Sequence, residues 1–399
     1  MTDAWEEFAS GAEGREVAGY FEAAPRPGAP FGRAVSFLSA SELRTITPQS
    51  SPEADARDVE RFLRARTGRA AIGYLGFDAV GLFEPRLSTF PAGDPFPLGT
   101  FALIDHPTRS RVGPRRPRKP TRTLPPAERP LHDSLSARAY SRSVRRLVDE
   151  IRNGEAYQVV LAHRRAWRRP DDLLERAGRL RNSERYAFFY YLRLHDHEIV
   201  GASPESVVEV FGDRAYLNPI AGTLPRGAHP SRRMPLALDP KELAEHRMLV
   251  DLARNDLGSV ARPGTVRLLS RERLERYARL DHLVTRVGAR LRPGVSAWEV
   301  LSAAFPAGTV AGAPKIRATE LLRREEASWR GPYAGTVGLL EAHGRADWAL
   351  AIRTGFAAGT RLYTAAGAGI VYRSEPRREF EETITKLAQV EATLLGGRR

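Results

Sequence analysis

The chain has 399 residues, 42% of them hydrophobic and 28% charged, which is ordinary for a globular protein with one large domain or two. It contains no cysteine, so disulfides, thiolate metal sites and cysteine nucleophiles are excluded. The net charge of +14 is almost all arginine, since only four lysines occur, and it is spread along the chain as a compositional bias rather than gathered into an aromatic-laced nucleic-acid surface.

No apolar run is long enough to span a bilayer, and the acidic start, Met-Thr-Asp-Ala-Trp-Glu-Glu, lacks a signal core. A cytoplasmic protein with no membrane or nucleic-acid partner is the expectation. Residues 1–106 read as mixed strand and helix, with Ala70–Phe77 a glycine-punctuated strand candidate. Residues 107–131 are rich in proline and arginine; the prolines forbid a helix, and the stretch reads as a solvated linker. The region 132–399 follows as the catalytic part. Tyr140, Val144, Leu147, Val148 and Ile151 recur at helical spacing over 136–152. Strands are expected at 157–166, 186–194, 197–202, 206–211 and 214–220, with Gly212-Asp213 as a turn. A helix over 240–255 opens on Asp239 and Pro240, and Ser296-Ala-Trp-Glu299 is a capping-box signature. Strands near 333–341, 347–355 and 361–373 lead to a terminal helix over 375–396. Runs of strands broken by helices, without strict alternation, point to α+β with large antiparallel sheets.

Several side chains could do chemistry. Glu242 and Glu245 lie three apart on one predicted helix, and Glu379 and Glu382 repeat the spacing on the last, with Lys386 one turn on. Facing pairs would make an oxygen-only site of the kind Mg²⁺ prefers, although the spacing alone suits solvated helix faces equally. Arg353 falls within an apolar strand candidate, where a carboxylate partner, from a ligand or from the protein, would offset its burial. Gly222, Gly308, Gly367 and Gly369 allow close approach to backbone, as they would in ordinary turns. Glu205, in Ser203-Pro-Glu205, could handle a proton or cap a helix. His282 could do likewise or be a satisfied structural histidine. Gln158 can hydrogen-bond but cannot be a general base near neutrality.

Longer phrases narrow these choices: Phe305-Pro-Ala-Gly-Thr-Val-Ala-Gly-Ala-Pro-Lys315, Arg330-Gly-Pro-Tyr-Ala-Gly335, Ala351-Ile-Arg-Thr354, Ala366-Gly-Ala-Gly369, Glu379-Phe-Glu-Glu-Thr-Ile-Thr-Lys386 and Leu249-Val-Asp-Leu-Ala-Arg-Asn-Asp-Leu-Gly258. In wording and order they resemble the chorismate-utilising enzymes, most closely anthranilate synthase component I, from about Ala70 to Lys386. The resemblance implies that Glu242, Glu245, Glu379 and Glu382 hold Mg²⁺. It implies that Arg353 and Tyr333 hold the enolpyruvyl carboxylate, supported by Gly367, Ala368, Gly369 and Lys386, with Ala221, Gly222 and Thr223 also lining the substrate. Glu205 becomes the general acid, His282 the residue assisting pyruvate release, and Thr309 its neighbour near the substrate. Glutamine at 158 matches the ammonia-using members, where water-using ones carry lysine; alanine at 221 replaces the lysine nucleophile of aminodeoxychorismate synthases. The implied reaction is amination of chorismate at C2 followed by loss of pyruvate to anthranilate. The ammonia would come from a separate glutamine amidotransferase, in a homo- or hetero-oligomer. An enzyme that stops at 2-amino-2-deoxyisochorismate, or an aminodeoxychorismate synthase, is the alternative. Regulated relatives carry Leu-Leu-Glu-Ser and Asn-Pro-Ser-Pro-Tyr-Met phrases, where this chain has Ser36–Ser41 and Ser183–Phe189. Weak or absent tryptophan feedback and a role in specialised metabolism are therefore expected.

Overall fold

The computed structural model describes residues 3–25, 31–90, 93–114, 129–183, 185–225, 240–276, 280–326 and 328–396; side chains of 221–225, 240–242, 274–276, 280–282 and 343 lie outside the description. Among the described residues the chain forms two antiparallel sheets of ten strands each. In the first, the path runs Gly312–Ala313, Gln158–Arg168, Arg361–Ile370, Thr354–Ala358, His197–Ser203, Phe188–Leu194, Val17–Ala23, Gly32–Phe37 and Thr108–Val112, with His132–Asp133 beside the second strand. In the other it runs Ile220–Pro225, Leu280–Arg290, Arg214–Leu217, Ser206–Phe211, Arg345–Leu350, Thr336–Glu341, Ala70–Leu75, Gly99–Ile104 and Glu42–Ile46, with Arg267–Arg276 beside Leu280–Arg290. The expected α+β architecture is the one found.

One core cluster joins Phe21 and Tyr190 of the first sheet to Tyr74, Phe101 and Trp348 of the second, so the two inner faces share their burial. Every residue of Ala70–Leu75 is buried, which accounts for its unbroken apolar composition. The helices Ala137–Arg152, Leu173–Ser183 and Pro376–Leu394 pack together against the first sheet, and Pro240–Gly258 lies on strands 220–225 and 280–290 of the second. Their ends are chemically marked. Ser136 accepts from Ala139 N–H, Pro376 occupies the first turn of the last helix, and Ser296 and Glu299 form the expected capping box.

Two sequence expectations need correction, and one open alternative closes. The strand expected over 347–355 is two strands, Arg345–Leu350 in one sheet and Thr354–Ala358 in the other, with Arg353 in the break between them. Glu205 caps no helix; it stands between strands His197–Ser203 and Ser206–Phe211. Within the stretch read as a linker, Thr108–Val112 is an edge strand that pairs with Gly32–Phe37, and Arg109 on it donates to Glu341. Alternation of arginine with smaller residues leaves one face of this strand to water, so a charged composition did not preclude pairing. Residues 1–106 supply strands to both sheets.

Candidate active site

The chain passes between the sheets at two adjacent places. Strand His197–Ser203 of the first sheet continues through Pro204 and Glu205 into Ser206–Phe211 of the second. Strand Arg345–Leu350 of the second returns through Ala351, Ile352 and Arg353 into Thr354–Ala358 of the first. These strands are paired on both sides of the crossing, Gly201 opposite Thr354 and Ser206 opposite Ala349. The crossovers are bonded to each other, Leu350 N–H to Glu205 O at 3.0 Å and Ala202 N–H to Arg353 O at 3.3 Å. Arg353 adopts a φ of 52°, a left-handed conformation that non-glycine residues rarely take and that concentrates at functional sites.

Glu205 is only 8% exposed. Thr309 Oγ1 donates to its Oε1 at 2.8 Å, and Ser203 Oγ braces its backbone. Burial pushes the carboxyl up to about 8, against the smaller opposing pull of the Thr309 hydroxyl. At neutral pH this acid therefore still holds its proton. It opens on a cavity shared with Asn218, Asp256, Gly308 and Thr309. Gly308 lets the turn approach closely there: a Cβ would fall 2.1 Å from Leu252 Cδ2 of the Pro240–Gly258 helix, and that leucine would have to move. The same helix is clamped by half-buried Lys315, whose Nζ donates to Asp256 Oδ2 at 2.7 Å and to Ala304 O at 2.8 Å. This ion pair fixes both ends of the 305–315 turn that presents Thr309.

The turn then reaches a second cluster. Gly312 and Ala313 pair with Val159 and Gln158, so only Val310 and Ala311 separate Thr309 from the segment paired to the strand carrying Gln158. Gln158 Nε2 donates to Glu245 Oε1 at 2.9 Å, while its Oε1 is buried with no partner among the described residues. Gly369 makes room for that amide, since a Cβ would lie 2.5 Å from Gln158 Nε2.

The neighbouring Gly367–Ala368 backbone gathers the rest. Lys386 Nζ donates to Gly367 O at 2.8 Å and pairs with Glu382 at 2.7 Å. Tyr333 is held by the Gly367 backbone, with burial raising its phenol to about 12 and the nearby Arg330 charge opposing that rise. Tyr140 is bonded to the Ala368 backbone and donates to Leu161 O; burial, then the charge of Glu379, raises its phenol. Glu245 through Gln158 and Glu382 through Lys386 thus connect to one short rim, and the charge of Glu379 is felt there at Tyr140.

The side chains of Ala221, Gly222, Thr223, Glu242 and His282 lie outside the described residues; their backbone places Thr223 opposite His282. Among the described residues no three histidine or acidic side chains sit close enough to hold a metal. The donors that are described, Glu245, Glu379 and Glu382, are carboxylates on two helices bordering the same rim. An oxygen-only set of this kind fits a hard divalent ion, which keeps water or substrate in its remaining positions.

Two groups were missed by sequence reasoning. Arg330 is 4% exposed, lies 4.3 Å over the Phe77 ring and donates to Glu326, Val310 O and Val160 O, which sets the position of the following Tyr333. Tyr140 was read as an apolar spacing residue. The signal for Tyr140 was a phenol at a position that otherwise called for an apolar side chain, and for Arg330 its place at the head of the Arg330–Gly335 phrase.

A proton-bearing carboxyl, a cation at a strained crossover and a carboxylate-lined rim suit a small anionic substrate that must be protonated as it reacts. The comparisons agree. Residues 18–392 match the family described as chorismate binding enzyme. The anthranilate synthase component 1 of Saccharolobus solfataricus is 37% identical over 81% of this chain and 80% of its own length. A 2-amino-4-deoxychorismate synthase of Streptomyces globisporus is 39% identical over 66% of this chain and 54% of its own. The crystal structure of anthranilate synthase component I from Streptococcus pneumoniae superposes with a TM-score of 0.77 at 28% identity, covering 90% of this chain and 92% of that one. With the match spanning both sheets and every cluster just described, the chain belongs to the chorismate-binding enzymes of the anthranilate synthase type.

Proposed function

We propose that this chain aminates chorismate at C2 with ammonia and then releases pyruvate to give anthranilate, in a Mg²⁺-dependent reaction in the cytoplasm. The observation that carries the reading is Glu205, a buried carboxyl still protonated at neutral pH and held by Thr309 at the crossing of the sheets. Such a group is an acid in search of a leaving group.

Chorismate carries two carboxylates. Arg353, Tyr333 and the Gly367–Gly369 backbone would hold the enolpyruvyl one, and Glu242, Glu245, Glu379 and Glu382 would hold the metal beside the other. When bound, Mg²⁺ neutralises the ring carboxylate and makes the ring more electrophilic. The ring is then open to ammonia at C2. The C–N bond forms, the ring double bonds shift, and the C4–O bond breaks as Glu205 gives its proton to the departing hydroxyl, which leaves as water. The buried Gln158 Oε1, without a partner among the described residues, is an acceptor suited to an incoming N–H. In the second step the C2 hydrogen leaves as a proton, with His282 assisting, the C3–O bond breaks and pyruvate departs as the ring becomes aromatic. Ammonia would come from a glutamine amidotransferase on another chain, since this one has no cysteine.

We further propose that tryptophan does not regulate it. The strands expected to form an amino-acid site flank Tyr20, which lies opposite both Ser36 and Tyr191. Trp5 of the chain's own first helix packs edge-on against Tyr20 at 5.3 Å and Phe189 at 5.1 Å, filling that position with protein. Freedom from feedback would suit specialised metabolism.

The test is an assay with chorismate, Mg²⁺ and an ammonium salt, following anthranilate fluorescence and pyruvate, with and without tryptophan. Fluorescence with stoichiometric pyruvate, unaffected by tryptophan, is expected. The similarity to the Streptomyces globisporus enzyme favours a second reading, amination alone, which would give an aminated product and no pyruvate. Turnover of neither kind would sink both readings.

A further inference from the structure

The two helices that carry the glutamate pairs share a device. In Pro240–Gly258 the pair Glu242 and Glu245 is followed at once by His246, which is fully buried and hydrogen-bonded through Nε2 to Thr285 Oγ1 at 2.6 Å. Thr285 belongs to strand Leu280–Arg290 and also accepts from Glu272 N–H at 3.0 Å. In Pro376–Leu394 the pair Glu379 and Glu382 is followed at once by Thr383, fully buried and bonded to His163 Nε2 at 3.0 Å. His163 belongs to strand Gln158–Arg168. Its Nδ1 is bonded to Asp133 at 2.8 Å, and Asp133 accepts in turn from Arg165 at 3.0 Å. Its ring is packed between Tyr140 and Phe380.

The two arrangements are mirror versions of one pattern. Each helix offers glutamate, then glutamate three residues on, then a buried partner four residues after the first. At about 100° per residue that partner sits some 40° to one side of the first glutamate and about 100° from the second. Tying it to the sheet therefore fixes how far the helix is rotated about its axis, and with it the direction in which both carboxylates leave the helix. Apolar packing alone fixes rotation weakly, because neighbouring rotations bury similar area. A directional bond between two buried polar groups does not tolerate such slippage, since the bond must be made or both groups lose their hydration unpaid.

We infer that the His246–Thr285 and His163–Thr383 hydrogen bonds are paired positioning devices that aim the two glutamate pairs at a common divalent ion. The inference rests on the reading of those glutamates as metal ligands. His246, Thr285, His163 and Thr383 touch neither ion nor substrate; they set the direction of the groups that do.

Calorimetric titration of Mg²⁺ into the full chain, without chorismate, tests it. Thr285→Val and Thr383→Val keep shape and lose the hydroxyl, and each is expected to weaken Mg²⁺ binding by about 10–100-fold. Thr383→Ser, which restores the hydroxyl, is expected to recover most of the affinity. Leu387→Ala, a buried core change on the same helix, serves as control; it should lower Tm while leaving Mg²⁺ affinity near the parent value. If one valine variant fails to fold, the other, on a different helix, decides alone. Valine variants that bind Mg²⁺ like the parent, or a control that weakens it equally, would overturn the positioning role while leaving the metal reading intact. A parent chain that binds no Mg²⁺ at all would overturn the metal reading and this inference together.

Discussion

Two buried glutamates differ in what has replaced their lost water, and the difference bears on the acid role proposed for one of them. Glu22, 1% exposed in the first sheet, accepts from Arg181 Nε at 2.9 Å, Arg181 Nη2 at 2.7 Å, Tyr20 at 2.7 Å and Tyr186 at 2.6 Å. Glu205, at the crossing, accepts from Thr309 alone among the described residues. Both have lost water, but only the first has had its hydration replaced by donors. A carboxyl that accepts four hydrogen bonds is committed to organising its neighbours. One supplied with a single hydroxyl keeps its proton and a free lone pair, and stands ready to give the proton away. Burial is common to both; the number of donors divides them.

The comparison can be broken most directly at its reactive end. Glu205→Gln should keep the shape and remove the proton donor, lowering kcat by about 10²–10⁴-fold with Mg²⁺ affinity unchanged. Near-parent turnover in a stopped assay would refute the acid role. At the structural end, Arg181→Met should leave Glu22 buried without its main partner and cost about 3–5 kcal/mol of stability, read by denaturant titration. KM and kcat of the fraction that remains folded should not move. A third experiment joins the two ends through pH. The carboxyl of Glu205 has a folded value near 8 and an ordinary one near 4.5, so its contribution to stability is full below about 4.5 and is lost as pH rises through about 8. Glu205→Gln, which does not titrate, should therefore gain stability relative to the parent between those values, by roughly 2–5 kcal/mol. A constant difference across that window would mean that the carboxyl is ionised throughout. The same value predicts that kcat falls above pH 8 when free ammonia is held constant. The smallest effect expected is that of Thr309→Val. Removing the one hydroxyl that favours the anion should push this alkaline limb upward by less than about one pH unit. A limb that stays in place would detach Thr309 from the acid.

What could be read from the chain beforehand follows the same division between local and distant causes. The capping box at Ser296 and Glu299 and the start of the last helix at Pro376 depend on neighbours in sequence and were legible. The break in the strand at Arg353 was not, because a strand that leaves one sheet and enters another keeps its apolar composition while its pairing partners change. Glu205 was ambiguous for a related reason. Ser-Pro-Glu has the composition of a helix start, and only the pairing of Ser206 with Ala349, far along the chain, decides otherwise. The acid role came from family resemblance, since nothing within a few residues of Glu205 reveals that Thr309 will meet it. His163 drew no attention because its partners, Asp133 and Thr383, are 30 and 220 residues away. Spacing showed the glutamate pairs but gave no hint of what aims them.

The bonded crossovers at Glu205 and Arg353 have one more consequence. Each is a tether between the two walls of the molecule, and the two tethers are lashed to each other. A shift of one wall along the other by even an ångström would separate acid from cation before it exposed any of the interior. Catalysis should therefore fail earlier than the fold does under heat or denaturant, making turnover a more sensitive gauge of the alignment of the two walls than any optical signal from the core.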